Sequence, residues 1–123
     1  MTELIITLGE NNRSWPYIQQ LIKVEDWTNI FVIGNKVVED SFRVEGKVIN
    51  FIVINEKETV KTIVQNITRE LKEKITGTEV ALNFVSGKGK LHMALIPSVL
   101  KLGLGIRFVV LNEERNMEEI KLF

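Results

Sequence analysis

Short apolar runs that end in glycine or in a polar loop alternate with helical patterns along most of this sequence. Five of these runs predict β-strands, at 3–9, 29–34, 47–55, 79–85 and 106–111. Apolar residues occupy both faces in several of them, which is typical of a parallel sheet that helices cover on both sides. The alternation therefore predicts an α/β fold, a Rossmann-like three-layer sandwich whose mainly parallel sheet has about five or six strands and helices on both faces.

The first two connections between the predicted strands differ in how clearly the sequence indicates a helix. Apolar side chains recur at helical spacing over 16–24, Pro16 suits a first helical turn, and Ser14 is placed to cap the helix. The stretch 35–46 fits both a short helix and an extended connection.

Two later segments predict longer helices. An apolar stripe over 60–75 is the clearest helical pattern, and we expect Asn55 to cap this helix with Glu58 three residues later. The stretch 88–103 also predicts a helix. Pro97 lies inside it and removes a backbone donor, so we expect a kink or a late restart there.

The size and composition of the chain exclude several classes of protein. Its 123 residues suffice for one core, so we predict a single domain over residues 1–123. The 16 basic and 16 acidic residues give no net charge, which argues against bulk attraction to duplex DNA or to a membrane surface. With no cysteine and a single histidine, His92, neither a metal nor a cofactor is expected. No apolar run approaches the roughly 18 residues of a spanning helix, and no basic secretory start is present, so we predict a cytoplasmic protein.

Polar and glycine-rich loops follow the predicted strands at their carboxyl ends. In a parallel sheet these ends share one edge, which we call the rim, and ligands bind there where neighbouring connections diverge. The rim loops are GENNRSW at 9–15, GNK at 34–36, NEKE at 55–58 and SGKGK at 86–90. The rim is therefore the predicted ligand site.

The loop SGKGK has two interpretations. Gly87 and Gly89 allow close approach of an anion to the backbone at a helix amino terminus, Ser86 adds a hydroxyl, and Lys88 and Lys90 add charge, as in a phosphate cradle. Alternatively, the glycines only form a tight turn and the lysines are solvated. The loop is neither a Walker loop nor a G-x-G-x-x-G motif, which disfavours an ordinary nucleotide triphosphatase or a dinucleotide enzyme.

The loop after the first strand contributes further donors. Asn11, Asn12 and Ser14 lie at a predicted helix entrance, and Arg13 between them is well suited to phosphate. Because this loop and SGKGK end strands of the same sheet, we expect both to face the rim.

Four other side chains have a structural and a functional interpretation. Trp15 and Trp27 offer stacking faces for a base, although core packing is the simpler role. Asn83 needs a partner if it is buried and is expected to brace the adjacent loop. His92 has a pKa that suits proton transfer, yet a lone histidine more often has a packing role.

The segment 79–111 resembles the last strand-helix-strand unit of CRISPR-associated Rossmann-fold (CARF) domains. In that family an apolar strand that ends in Asn leads into a Thr-Gly-Gly-Thr-Lys type loop and a helix with an early Met. The matching residues here are Asn83, Ser86 in place of the first Thr, Gly87, Lys90 and Met93. Lys88 and Gly89 depart from the pattern, because they replace the second Gly and the second Thr.

The resemblance implies a homodimer that binds a cyclic oligoadenylate, a nucleotide signal of CRISPR antiviral defence, between paired rims. The ligand-binding residues that rim position and resemblance together suggest are Gly9, Asn11, Asn12, Arg13, Ser14, Ser86, Gly87, Lys88, Gly89 and Lys90. Because Lys90 matches the family lysine, the resemblance predicts that Lys90→Ala weakens phosphate binding more than Lys88→Ala.

Two alternatives remain at the level of sequence. Some members of the family cleave their ligand without metal as ring nucleases, and the candidates for that role here are Lys90, Ser86 and Ser14, with Arg13 assisting. The other alternative is an interaction subunit that binds no nucleotide and contacts its partner through the terminal IKLF, residues 120–123.

Overall fold

Within residues 2–120, the protein forms a six-stranded sheet in the order β3-β2-β1-β4-β5-β6. The computed structural model describes residues 2–120. Strands β1 to β5 are parallel and β6 runs antiparallel to β5. The strands are β1 (Glu3–Thr7), β2 (Ile30–Gly34), β3 (Asn50–Val53), β4 (Glu79–Asn83), β5 (Gly105–Leu111) and β6 (Met117–Ile120). The predicted Rossmann-like α/β sandwich is confirmed.

In the described part of the chain, four α-helices cover the sheet in two layers. They are α1 (Trp15–Val24), α2 (Lys36–Ser41), α3 (Val60–Lys74) and α4 (Gly89–Lys101), and a short 3₁₀ turn, Asn12–Ser14, precedes α1. The buried side chains of α1 and α2 pack on one face of the sheet, whereas those of α3 and α4 pack on the other. The stretch 35–46, which was ambiguous in sequence, contains the short helix α2 and then an irregular connection with a turn at 45–46.

Strand β1 lies at the centre of the sheet, and every residue in it is buried. Its neighbours are β2 and β4, with Ile5 opposite Phe31 on one side and Leu82 on the other. Alternate residues of β1 enter the two cores: Ile5 contributes to the α3 and α4 side, and Leu4 and Ile6 to the other. The loops after β1 and β4 consequently leave the rim side by side.

Ser14 occupies the predicted N-cap position of α1 but does not cap it with its side chain, and the predicted Asn55 cap of α3 is wrong. The Ser14 side chain makes no capping hydrogen bond to α1, because its hydroxyl is bonded to Ser86 instead. Helix α3 is capped by Thr59, whose side chain accepts from the backbone N–H of Thr62 at 3.1 Å. The Asn55 side chain accepts from the backbone N–H of Lys57. It forms a turn before the capping residue Thr59 and does not cap the helix.

Pro97 does not interrupt α4, which continues from Gly89 to Lys101. Of the two outcomes expected from sequence, a kink or a late restart, the late restart is therefore wrong. The Ser98 hydroxyl next to the proline donates to the Ala94 carbonyl at 2.8 Å and lies 3.3 Å from the Val64 carbonyl of α3. Packing against α3 holds the helix together where the proline removes a backbone donor.

The final segment of the sequence forms an edge strand. A turn at residues 112–116 joins β5 to β6, and Phe108 lies opposite Ile120. Of the terminal IKLF, Ile120 ends β6, while residues 121–123 lie outside the described residues.

Candidate functional site

Ser86 joins the two rim loops that follow β1 and β4. Its hydroxyl accepts from the Gly9 N–H at 3.1 Å and is bonded to the Ser14 hydroxyl at 2.7 Å. Its carbonyl accepts from the Thr7 hydroxyl at 2.7 Å. Ser86 is almost fully buried, so these bonds are sheltered from water. A residue 77 positions from Gly9 in the chain thus fixes the geometry of the first loop.

The backbones of the two loops touch at Gly9 and Gly87. A Cβ atom on Gly9 would lie 3.3 Å from both the Cα and the N atom of Gly87. Gly87 has a φ of +93°, a conformation that side chains disfavour. Gly89, by contrast, has open space around it and no left-handed φ. The first glycine of SGKGK is therefore required for this geometry, and the second is not.

Asn83 and His92 hold the second loop from either side. Asn83 is buried, donates to the Val109 carbonyl at 2.8 Å and accepts from the Val85 N–H at 3.1 Å. The predicted bracing role of Asn83 is therefore confirmed. His92 Nε2 lies 2.8 Å from the Ser86 carbonyl and must donate to it, because a carbonyl oxygen only accepts. The imidazole thus supports the Ser86 backbone and packs against the Phe84 ring at a centroid distance of 5.2 Å.

A cavity of about 300 Å³ opens at the rim between these loops. The residues that line it come from the loops after β1, β3 and β4. They are Gly9, Glu10, Asn11, Arg13, Ser14, Glu56, Val85, Ser86, Gly87 and Lys88. We call this the rim cavity. Sequence and structure agree on seven of these residues.

Both signs of charge face the rim cavity. Arg13 and Lys88 provide cations, whereas Glu10 and Glu56 provide carboxylates. Lys88 Nζ lies 3.9 Å from Glu56 Oε2, and its side chain is 81% exposed. Lys88 also precedes the first residue of α4, where no described side chain caps the helix. The amino end of α4, with its partial positive charge, therefore begins one residue beyond the cavity lining and has no side-chain cap.

Three predicted ligand residues do not line the rim cavity: Asn12, Gly89 and Lys90. The Lys90 ammonium instead donates to the Glu56 carbonyl at 2.7 Å and borders a neighbouring groove beside Ile63. The structure therefore brings Lys88, the departure from the family pattern, to the cavity in place of Lys90.

Three lining residues were missed from sequence: Glu10, Glu56 and Val85. Glu56 lies three residues after β3, in the loop NEKE that the sequence placed at the rim, but it was not among the predicted ligand residues. Glu10 likewise lies in the predicted rim loop GENNRSW, but a carboxylate does not suit a phosphate ligand and was not chosen as a ligand residue.

Trp15 and Trp27 have packing roles. Trp15 Nε1 donates to the Gly9 carbonyl at 2.9 Å, and its ring meets Phe42 edge-on at 5.5 Å. Trp27 Nε1 donates to the Leu21 carbonyl at 3.1 Å. Neither tryptophan lines the rim cavity, although Trp15 fixes the Gly9 carbonyl beside it.

Other chemical features of the rim are limited. Within residues 2–120, no group of three His, Cys, Asp or Glu side chains is arranged to hold a metal ion.

The pKa of Lys36, at the start of α2, is raised by its hydrogen bonds to Glu39 and Asp40, and this exposed group lies outside the cavity. None of the helices in residues 2–120 has the length and apolar character needed to cross a bilayer.

The fold and the rim cavity define a Rossmann-like α/β protein with a polar site at the carboxyl ends of its strands. The chain matches no family model and no curated protein.

Proposed function

We propose that the protein is a CARF-like sensor that binds a cyclic oligoadenylate, or a related phosphate ligand, in the rim cavity. The observation that carries the proposal is the Ser86 junction, which holds two rim loops together beneath a cavity lined by Arg13 and Lys88. A family-like arrangement of two copies would bring two such cavities to one ligand.

A phosphate in this cavity would have three sources of positive potential. Arg13 offers a planar set of donors, Lys88 offers a mobile ammonium, and the amino end of α4 offers backbone N–H groups. The carboxylates of Glu10 and Glu56 repel an anion. A phosphate also has to compete with the Glu56 carboxylate for the Lys88 ammonium. We therefore expect moderate affinity that falls with added salt.

The geometry reverses the order of effects that the resemblance predicted for the two lysines. Lys88→Ala should weaken binding about fivefold, because it removes an exposed cation from the cavity wall. Lys90→Ala should change affinity by less than about twofold, because its ammonium is bonded to the Glu56 carbonyl outside the cavity. Isothermal titration calorimetry of cyclic tetra-adenylate with the wild type and both variants measures this difference.

The two lysine variants serve as matched controls, since each loses one exposed charge from the same loop. A larger effect at Lys90 would contradict the structural assignment. No heat of binding to the wild type at high micromolar ligand would remove the sensor proposal and favour an interaction subunit. Chromatography of the incubated ligand separates a binder, which leaves the ring intact, from a ring nuclease, which opens it.

A further inference from the structure

A groove formed by apolar side chains adjoins the rim cavity on the side of β4 and β5. Its volume is about 220 Å³, and the residues that line it are Leu82, Asn83, Phe84, Val85, Phe108, Val109, Val110 and Ile120. None of these lining residues is charged. Val85 also lines the rim cavity, so the two spaces lie next to each other on either side of this residue. We call the second space the apolar groove.

The rim cavity and the apolar groove offer different chemistry to a ligand. Val85 is the only apolar side chain among the residues that line the rim cavity, and none of them is aromatic. A phosphate suits that cavity, but a planar base would find almost no apolar surface in it. The apolar groove has the opposite character, because no cation among its lining residues could hold a phosphate.

The apolar groove exposes the kind of surface that a planar group contacts. Val85 and Ile120 are 59% and 51% exposed, whereas Phe84 and Phe108 are half-buried. The rings of Phe84 and Phe108 meet edge-on with their centroids 5.8 Å apart, so each ring limits the movement of the other. Stacking on an aromatic ring and burial of apolar surface both favour a base at such a place.

The groove beside Ile63 also borders the rim cavity, but it is less suited to a base. Its lining residues are Glu56, Lys88, Lys90 and three apolar residues, Ile54, Ile63 and Leu91. The three apolar residues are 4%, 1% and 4% exposed, so they offer little surface to a ligand. The exposed apolar surface therefore favours the groove beside β5.

We infer that the apolar groove is a subsite for the base of the ligand, which lies there while a phosphate occupies the rim cavity. The inference rests on the proposed function, because it concerns a ligand that has both groups. It adds a requirement that the proposed function does not contain. A base should raise the affinity, and it should do so through side chains such as Ile120 rather than through Arg13 or Lys88.

NMR titration with two ligands tests this subsite. Cyclic tetra-adenylate carries bases, whereas ribose 5-phosphate has a phosphate and no base. Ile120→Gln places a polar amide in the apolar groove, so it should weaken cyclic tetra-adenylate about fivefold and ribose 5-phosphate less than about twofold. Lys88→Ala should weaken both ligands, because it removes a cation from the rim cavity.

Val48→Gln is the matched control for Ile120→Gln. Val48 is 84% exposed and lines neither the rim cavity nor the apolar groove, so the affinity for both ligands should stay at the wild-type value. Circular dichroism of each variant establishes that it remains folded.

Intermolecular nuclear Overhauser effects locate the base directly. The adenine protons of bound cyclic tetra-adenylate should show them to the methyl groups of Val85 and Ile120. Effects to Ile63 or Leu91 instead would overturn the inference, and so would a folded Ile120→Gln variant that binds cyclic tetra-adenylate like the wild type. In both cases the ligand still binds, so the proposed function stands. A wild type that does not bind cyclic tetra-adenylate would remove the proposed function and the base subsite together.

Discussion

The two ends of the β1 and β4 strand pair are both secured by a buried polar side chain, but only the side chain at the carboxyl end lines the rim cavity. At the amino end, Glu3 accepts from the N–H groups of Thr76 and Gly77 at 3.0 and 2.8 Å and from the Asn29 amide at 2.9 Å. At the rim, Ser86 bonds to Gly9 and Ser14 at 3.1 and 2.7 Å.

The difference lies in what surrounds each junction. The carboxyl group of Glu3 has its bonds within the protein and does not line the rim cavity. Ser86 also has its bonds within the protein, but it forms the floor of a cavity with cationic side chains on its walls. We therefore expect the amino end to contribute mainly stability, and the rim to contribute both stability and binding.

Replacement of Glu3 should have the largest effect on folding. Glu3→Ala leaves several donors without their acceptor at a buried site and should lower the free energy of unfolding by about 3 kcal/mol. Glu3→Gln keeps one acceptor oxygen and should cost less than half as much. Urea unfolding followed by circular dichroism measures both. Because Glu3 lies at the amino end, folded Glu3→Gln should bind ligand like the wild type; weaker binding would break the comparison.

Ser86→Ala should have the next largest effect and should alter both properties. The change removes the acceptor for the Gly9 N–H and the partner of the Ser14 hydroxyl, and should cost about 2 kcal/mol in unfolding free energy. It also frees the first rim loop, so calorimetry should detect weaker ligand binding. Ser41→Ala is the control, because Ser41 is exposed at the end of α2. Wild-type stability in Ser86→Ala would mean that the junction does not hold the rim.

The smallest losses of stability are expected at the two glycines of SGKGK, and they should differ between Gly87 and Gly89. Gly87→Ala places a side chain at a φ of +93° and should destabilise the fold by about 1–2 kcal/mol. Gly89→Ala has open space at the first position of α4 and should change stability by less than about 0.5 kcal/mol. Thermal unfolding of the pair provides the comparison, and equal losses would show that Gly89 is also conformationally required.

Much of the fold could be predicted because its signals are local. The apolar runs at 29–34 and 79–85 became β2 and β4 with an error of at most two residues, and the stripe over 60–75 became α3. The caps were wrong because a polar side chain near a helix start has competing partners. Ser14 bonds to Ser86, which lies 72 residues later in the chain, so the sequence around Ser14 does not reveal this partner.

The sequence by itself determined the layered α/β order, the buried strands and the collection of polar loops at one rim, since periodicity and glycine placement act over a few residues. Only the tertiary structure decided which lysine faces the rim cavity, because Lys88 precedes α4 and Lys90 lies inside its first turn. Lys88 has an extended backbone (φ −92°, ψ 158°), whereas Lys90 is helical, so the two side chains leave the chain in different directions.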